Sequence, residues 1–404
     1  MAGVLSGVRV LDLSRVVSGP WCTQILADLG AEVIKIERAG AGDDTRMMGP
    51  FLEDAERKPT NNSAIFMACN RGKRSMTIDI ASEEGAGLVR ELAATCDVFV
   101  ENFKAGALGK FGLDYEGIRA VRPDVVYCSI TGFGHDGPYA ARPAYDFIMQ
   151  AMSGLMSTNG QPEGAPGSSP LRTAIPLTDM VTGLYATIAV LAALMHRNAS
   201  GEGQFIDAAM LDASVALNAN LAVGFLLNGK VPTRSGNTNA VVAPSDAFET
   251  ADGSVIIAVS NDAQFRALSM VIGAPELADD PRFATNTERF ARRYELRDVL
   301  APYLKSAPTA VWVARCAKAN VPCGQINHMH EVFADAQVRH RGLAISLPHS
   351  SGQNVRLVRS PLNLSKTPVE HRAPPALGEH TDAILAELGR SPDEIAALRA
   401  RKAI

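Results

Sequence analysis

The first 135 residues alternate short β-branched runs with helical patterns, and this alternation restricts the fold more than any other feature. Positions 8–13 (Val-Arg-Val-Leu-Asp-Leu) read as a strand, and 21–29 as a helix with Gly30 placed just past its end. A second strand follows at 31–36 and a third at 75–80. A helix over 82–95 opens with Ser82 as a capping hydroxyl and carries Glu83 and Glu84 in its first turn, where the helix dipole favours carboxylates. Further strands are expected at 97–100 and 125–130. Strands separated by helices pair through crossovers, so the spacing predicts βαβ units and a mainly parallel sheet.

A chain of 404 residues exceeds one ordinary core, and two domains are expected. A Gly-, Pro- and Ser-rich stretch at 154–169 reads as a long loop, the apolar run 183–195 as a buried helix, 204–210 as a strand and 211–227 as another helix. The character changes near Gly229. The division read from the sequence is a large α/β domain over 1–228, a linker over 229–245 and a small α+β domain over 246–334. In the last of these, Ala251-Asp252-Gly253 signals a hairpin. Residues 335–404 then form a second linker and return to the large domain.

Composition removes several classes of function. Lys and Arg total 39 against 43 Asp and Glu, a net charge of −4, so a nucleic-acid partner held by phosphate contacts is not expected. The run 183–195 falls short of the roughly 18–20 residues of a membrane span, and no secretory pattern opens the sequence, so no membrane partner is expected. Six cysteines without a CxxC pair suit buried thiols in a reduced cytoplasm. The histidines show no metal spacing beyond His328-Met-His330, and no metal is expected. The first strand leads into Val16-Val-Ser-Gly-Pro20 and not into the dinucleotide GxGxxG, and the P-loop and the Gly-x-Ser-x-Gly elbow are absent from the sequence.

Four polar clusters lie beside the strands. Arg15-Val-Val-Ser-Gly-Pro20 follows the first strand, where the carboxyl end of a parallel strand and a helix N-terminus favour an anionic ligand. Lys35-Ile-Glu-Arg38 leads into Gly42-Asp-Asp-Thr-Arg46. Asn70-Arg-Gly-Lys-Arg-Ser75 concentrates three cations in four positions, suited to a polyphosphate or to an exposed turn. Glu101-Asn-Phe-Lys joins a hydrogen-bonding and a stacking side chain at a strand end. Together they read as a nucleotide-type site without the dinucleotide loop, and coenzyme A would fit. Asp179, in the first turn of the long apolar helix, reads as a cap or as a carboxylate nucleophile whose ionised form the helix terminus favours.

Seven strings in chain order resemble the family III CoA-transferases, the formyl-CoA transferase and CaiB/BaiF group. These are 8–13 with Ser18-Gly-Pro20, Ala31-Glu-Val-Ile-Lys-Ile-Glu-Arg38, Lys73-Arg-Ser75, Val100-Glu-Asn-Phe103, Ser129-Ile-Thr-Gly-Phe-Gly134, Thr178-Asp-Met-Val-Thr-Gly183 and Leu377-Gly-Glu-His-Thr381. The resemblance implies a Rossmann-like large domain, a smaller α+β domain and an interlocked, ring-shaped homodimer. It also implies an acyl-CoA and a small carboxylic acid as substrates, coenzyme A entering as a thioester substrate and no prosthetic group being required. Asp179 takes the position of the aspartate that forms an acyl anhydride and then an aspartyl-CoA thioester. Carried over in the same way, Val16, Arg38, Ile78, Asn102, Phe103, Ala107 and Lys110 are expected at coenzyme A, and Lys73 and Arg74 are expected there as local cations that stand out in a chain of near-neutral charge. Val17, Ser18, Tyr145 and Met210 are expected near the reacting end.

Departures from the family pattern narrow the reading. Val17 stands where formyl-CoA transferases carry glutamine, and their glycine-rich loop is absent, which disfavours oxalate and formate. The related α-methylacyl-CoA racemases, the alternative reading, place a histidine where this chain has Tyr145-Asp146; tyrosine is a poor proton carrier at neutral pH. Gly40-Ala-Gly-Asp-Asp-Thr-Arg46 and Val332-Phe-Ala-Asp-Ala-Gln-Val338 resemble the branch that handles dicarboxylates with succinyl-CoA as donor. Arg46 is the residue expected to hold the distal carboxylate.

Overall fold

The computed structural model describes residues 3–54, 56–239 and 241–404. They fall into two compact units: one built from the chain up to Leu155, Arg172–Gly229 and Gln337–Ile404, the other from Met156–Leu171 and Lys230–Ala336.

Six strands form the sheet of the larger unit: β1 (Arg9–Asp12), β2 (Glu32–Glu37), β3 (Arg74–Thr77), β4 (Val98–Glu101), β5 (Val126–Thr131) and β6 (Gln204–Ala209). All neighbours pair in parallel, in the spatial order β3-β2-β1-β4-β5-β6. Side chains alternate between faces with the strand period of two. Leu11, Ile34, Ile36, Met76, Phe99 and Tyr127 point into one layer with Leu88 and Leu92, whereas Val10, Val33, Val98, Val100, Val126 and Cys128 point into the other with Leu26 and Val190. Both faces are covered, which is why the strands read as apolar runs.

The helices that matter for the site are α1 (Ser18–Asp28), α2 (Glu83–Ala94), α3 (Tyr115–Val121), α4 (Asp146–Met152), α5 (Leu177–Ser200), α6 (Met210–Leu217) and α7 (Ala219–Asn228). Ser18-Gly-Pro20 is thus the first turn of α1. The single helix expected over 211–227 is two helices bent by 78°. Asn218 lies at the bend, its carboxamide donating to the Ser153 and Ser214 carbonyls. Residues Thr381–Glu387 and Pro392–Ala400 are helices that place Ile384, Leu385, Ile395 and Leu398 in the layer with Leu11 and Met76.

At 24 residues and a mean hydropathy of 1.7, α5 is long and apolar enough to cross a membrane by length and composition, longer than the run 183–195 indicated. One side of it is core: Ala186, Val190, Ala193 and Leu194 pack with Cys22 and Leu26 of α1. Leu184, Tyr185, Ile188 and Met195 on the other side are exposed.

The smaller unit holds an antiparallel sheet of Ser245–Glu249, Ser254–Ala258 and Cys323–Gln325, with Ser254–Ala258 in the centre. Phe248, Val255, Ile257, Phe265, Leu300 and Trp312 form its core. Residues 156–171 differ from the sequence division, which put them in the large domain. Here Gly236 donates its N–H to the Gly160 carbonyl and Arg234 donates to that of Gln161. A Gly- and Pro-rich stretch has no side-chain period to reveal which core it joins.

The chain leaves β1 towards β2 on one side, while β4 lies on the other. The crevice between the carboxyl ends of β1 and β4 is therefore the topological switch point, where open parallel sheets bind ligands. The α1–α5 contact sets one wall of it. A Cβ on Gly183 would meet the Ser18 carbonyl oxygen at 2.6 Å and Trp21 side-chain atoms at 3.1 and 3.2 Å, so only glycine lets α5 approach α1 this closely. Gly183→Ala is expected to force the helices apart and cost about 1–3 kcal/mol, read as a lowered midpoint in thermal or urea unfolding. An unchanged midpoint would show that the contact yields freely.

Candidate active site

Two clefts of about 260 Å3 each open along the strand carboxyl ends. Residues just beyond four strands line the first: Ser14 and Arg15 after β1, Arg38 after β2, Ile78 after β3 and Phe103 after β4. The second is lined by Val16, Ser18, Asn102, Lys104, Thr131, Arg142, Tyr145, Asp179 and Met210, among others. Arg15, Asp44 and Phe103 belong to both, so the two clefts adjoin.

Asp179 sits in the first turn of α5, and the residue before that helix, Pro176, supplies no side-chain cap. The cap comes from α4 instead. Asp146 Oδ1 accepts the Thr178 N–H at 2.8 Å, the Thr178 hydroxyl at 2.7 Å and the Asp179 N–H at 3.4 Å, while Oδ2 accepts from Gln150 at 2.7 Å. Asp179 therefore faces the cleft with an anionic cap behind it. Burial raises its carboxyl to about 7, the Asp146 charge adds to the rise, and a hydrogen bond from Ser18 opposes it. This reverses the expectation that the helix terminus favours the ionised form, because desolvation and a like charge outweigh the dipole here. The result is a carboxylate basic enough to be a good nucleophile once ionised.

The structure brings Val16, Ser18, Asn102, Tyr145, Asp179 and Met210 to one cleft, and Arg38, Ile78 and Phe103 to the adjoining one. Asn102 clamps the Arg15 backbone: its Oδ1 accepts the Arg15 N–H at 2.8 Å and its Nδ2 donates to the Arg15 carbonyl at 2.6 Å. Tyr145 is 68% exposed, and no histidine is among the lining residues of either cleft. Val17 is buried ahead of α1. Ala107 lies in a turn on the Lys104 carbonyl, Lys110 is exposed over the Phe111 ring, and neither Val17, Ala107 nor Lys110 is a lining residue of the two clefts.

Three cations expected at the ligand are committed elsewhere. Arg46 is wholly buried. It pairs with both carboxylate oxygens of Glu37 at 2.7 Å, donates to Asn62 at 2.8 Å and lies 3.6 Å from the Phe66 ring centroid, so it cannot hold a substrate carboxylate. Lys73 is buried against Asp12 at 2.9 Å, with Asn70 and the Pro20 carbonyl as further acceptors. Arg74 bridges Glu32 and Glu387. The Asn70–Ser75 cluster is thus neither a polyphosphate site nor a solvated turn, for its third cation, Arg71, pairs with Asp28. These acids lie 42 to 313 positions away in sequence, which hides the pairing from local reading.

The available cations are Arg15 and Arg38, which share Asp44 at 3.7 and 2.7 Å, together with Lys104 and Arg142. Sequence reasoning passed over Arg142, Asp44 and the capping role of Asp146. The one signal for the last was an Asp opening a short helical pattern. Among the described residues, no group of three or more His, Cys, Asp or Glu is placed to hold a metal ion.

A family model described as CoA-transferase family III matches residues 5–381. A succinate–glutarate CoA-transferase of Agrobacterium fabrum is 46% identical over 95% of both chains. The human succinyl-CoA:glutarate CoA-transferase is 40% identical over 96% of this chain and 87% of its own. The crystal structure of a CAIB/BAIF family protein from Brucella suis superimposes with a TM-score of 0.87 at 45% identity, covering 96% of this chain and 100% of that one.

Two measurements check the electrostatics. Infrared difference titration, wild type minus Asp179→Asn, should show the Asp179 carboxyl band disappearing as the pH rises through about 7. Asp146→Asn keeps the Oδ1 acceptor and removes the like charge, so the transition should move to lower pH; an unmoved transition would assign the whole shift to burial. Lys73→Met should cost about 3–5 kcal/mol in urea unfolding, because Asp12 stays buried without its nearest cation. Undiminished stability would argue that Lys73 serves a ligand after all.

Proposed function

The chain belongs to CoA-transferase family III, and we propose that it moves coenzyme A from succinyl-CoA to a second dicarboxylate, glutarate foremost, through covalent intermediates on Asp179. The observation that carries this reading is the Asp179 carboxylate itself, desolvated and raised to about 7 on the wall of the switch-point cleft. The names of the relatives support the choice of donor and acceptor.

In the proposed sequence, an Asp179 oxygen attacks the thioester carbonyl of succinyl-CoA. The C–O bond forms, the C–S bond breaks, and coenzyme A departs as the thiolate. The thiolate then attacks the aspartyl carbonyl of the mixed anhydride, giving an aspartyl-CoA thioester and free succinate. The acceptor carboxylate attacks the carbonyl of that thioester, the C–S bond breaks, and a second anhydride and the coenzyme A thiolate result. The thiolate finally attacks the acceptor's carbonyl, yielding the new acyl-CoA and restoring Asp179. No net proton is taken up, so the site needs a desolvated carboxylate and exclusion of water more than an acid–base pair. The absence of a histidine from the cleft lining, where a two-base racemase needs a second proton carrier, also favours transfer.

Coenzyme A in this reading occupies the adjoining clefts. Arg15 and Arg38 exchange Asp44 for phosphate oxygens, and Ile78 and Phe103 provide apolar surface. With Arg46 occupied, Arg142 and Lys104 are the cations proposed for the distal carboxylate. The proposal includes a homodimer, to which the exposed apolar side chains of α5 and α7, Ile188, Met195, Leu226 and Leu227 among them, lend support.

Incubating the enzyme with succinyl-CoA and a panel of mono- and dicarboxylates should yield glutaryl-CoA by mass spectrometry. Asp179→Ala should form none. Borohydride or hydroxylamine should modify Asp179 in the wild type only when succinyl-CoA is present. An active alanine variant would refute the covalent route, and preference for a monocarboxylate would refute the substrate class.

A further inference from the structure

The Asn102–Phe103 turn between the two clefts is secured from beneath by one buried carboxylate that the proposed chemistry does not use. Glu101 ends β4 and is 4% exposed. It accepts the Phe103 N–H at 2.7 Å and a hydrogen bond from the Ser129 hydroxyl of β5. Ser129 Oγ lies 2.7 Å from His135 Nε2. His135 is itself held, its backbone N–H donating to Asp207 at 2.9 Å and its ring meeting Phe205 edge-on at 5.0 Å. Glu101 is therefore the inner end of a three-residue hydrogen-bonded chain, and it has no ion-pair partner among the described residues.

Above it, the turn governs much of the cleft wall. Asn102 clamps the Arg15 backbone from both sides, and the Phe103 ring lies 5.0 Å from the Arg15 guanidinium. A shift of the Phe103 amide would move Asn102, Phe103 and Arg15 together.

We propose that Glu101 is a positioning residue for acyl-CoA binding: its ionised carboxylate fixes the Phe103 amide and so the wall formed by Arg15, Asn102 and Phe103, and its protonation loosens that wall. The inference rests on the reading of the adjoining clefts as the coenzyme A site. With Glu101 ionised, Ser129 donates to it and accepts from His135 Nε2–H. With Glu101 protonated, its O–H donates to Ser129, whose own hydrogen turns to His135 Nε2, the imidazole proton then residing on Nδ1. The Phe103 N–H is left with a neutral acceptor, and a hydrogen bond to a neutral group is weaker than one to an ion.

The groups facing Glu101 leave this change to occur near neutrality. Burial raises it to about 7 against its two hydrogen bonds. Tyr127 and Cys128 on β5 are kept neutral by burial. Lys104, Asp114, Glu116 and His135 line the adjoining cavity with Glu101, and Asp207 lies beyond His135. Below about 7, Glu101 is protonated and the wall is loosened; above it, the wall is fixed.

The test measures binding of free coenzyme A by calorimetry from pH 6 to pH 8.5, in an Asp179→Asn background so that the nucleophile does not titrate. With Glu101 present, binding should weaken about five-fold as the pH falls. Glu101→Gln should bind about five-fold more weakly at pH 8.5 and lose the enzyme's share of the pH dependence; titration of the ligand phosphates is common to every variant and cancels. Ser129→Ala removes a donor to the carboxylate and should move the midpoint to higher pH, a readout independent of how well Glu101→Gln folds. Phe103→Ala tests the cleft itself and should weaken binding at every pH. Glu101→Gln matching its parent, or an unmoved midpoint in Ser129→Ala, while Phe103→Ala weakens binding, overturns the role of Glu101 and leaves the coenzyme A site standing. Unchanged binding in Phe103→Ala overturns the site and the proposal together.

Discussion

Asp12, wholly buried at the end of β1, is the group on which the geometry of the strand ends depends. It accepts from Lys73, Ser14 and Thr23, and although burial would raise it, Lys73 and Lys35 beside it bring it down to about 2. From there the order passes outward. Lys35 donates to the Ser14 carbonyl at 2.8 Å and pairs with Asp43 at 3.0 Å, and Asp43 accepts the Val16 N–H. Val16 has φ of 67°, a conformation that β-branched residues avoid and that persists only where the surroundings impose it. The strained residue lies on the cleft and immediately precedes the turn that carries Ser18 to Asp179.

The same network decides which charges a ligand meets. Lys35, Arg46 and Lys73 are buried beneath the strand ends and neutralised by Asp43, Glu37 and Asp12. Arg15 and Arg38, at the rim, share the single carboxylate Asp44 and stay 49% and 60% exposed. Isolated buried charges would be costly, whereas paired and fully hydrogen-bonded ones hold one arrangement of the loops. The floor is thus rigid and electrically quiet, while Asp179, backed by Asp146 and with Ser18 as its hydroxyl donor, is basic.

Much of the fold was legible because its signals are local. The strand–helix alternation, Gly30 beyond α1 and the Ser82 cap all appear where the side-chain pattern put them. Asp179 was legible too, as a carboxylate in the first turn of a long apolar helix. The bend at Asn218 was not, since the apolar pattern continues through it and the cause is a hydrogen bond to Ser153, 65 positions away. The attachment of 156–171 to the smaller unit was equally hidden, because a Gly- and Pro-rich stretch carries no periodicity.

Read alone, the sequence determined a parallel sheet with polar clusters at its strand ends and a carboxylate at the head of an apolar helix, because strand and helix periods and strand-end loops are properties of neighbouring residues. Only the tertiary structure decided which of the clustered cations face a ligand and how basic that carboxylate is. Arg46, Lys73 and Arg74 look alike to Arg15 and Arg38 until Glu37, Asp12 and Glu387 are folded against them. Asp179 looks like any helix-terminal acid until α4 sets Asp146 behind it and the core removes its water. Charge and hydration are set by distance in space, and the partners that fix them here are far apart along the chain.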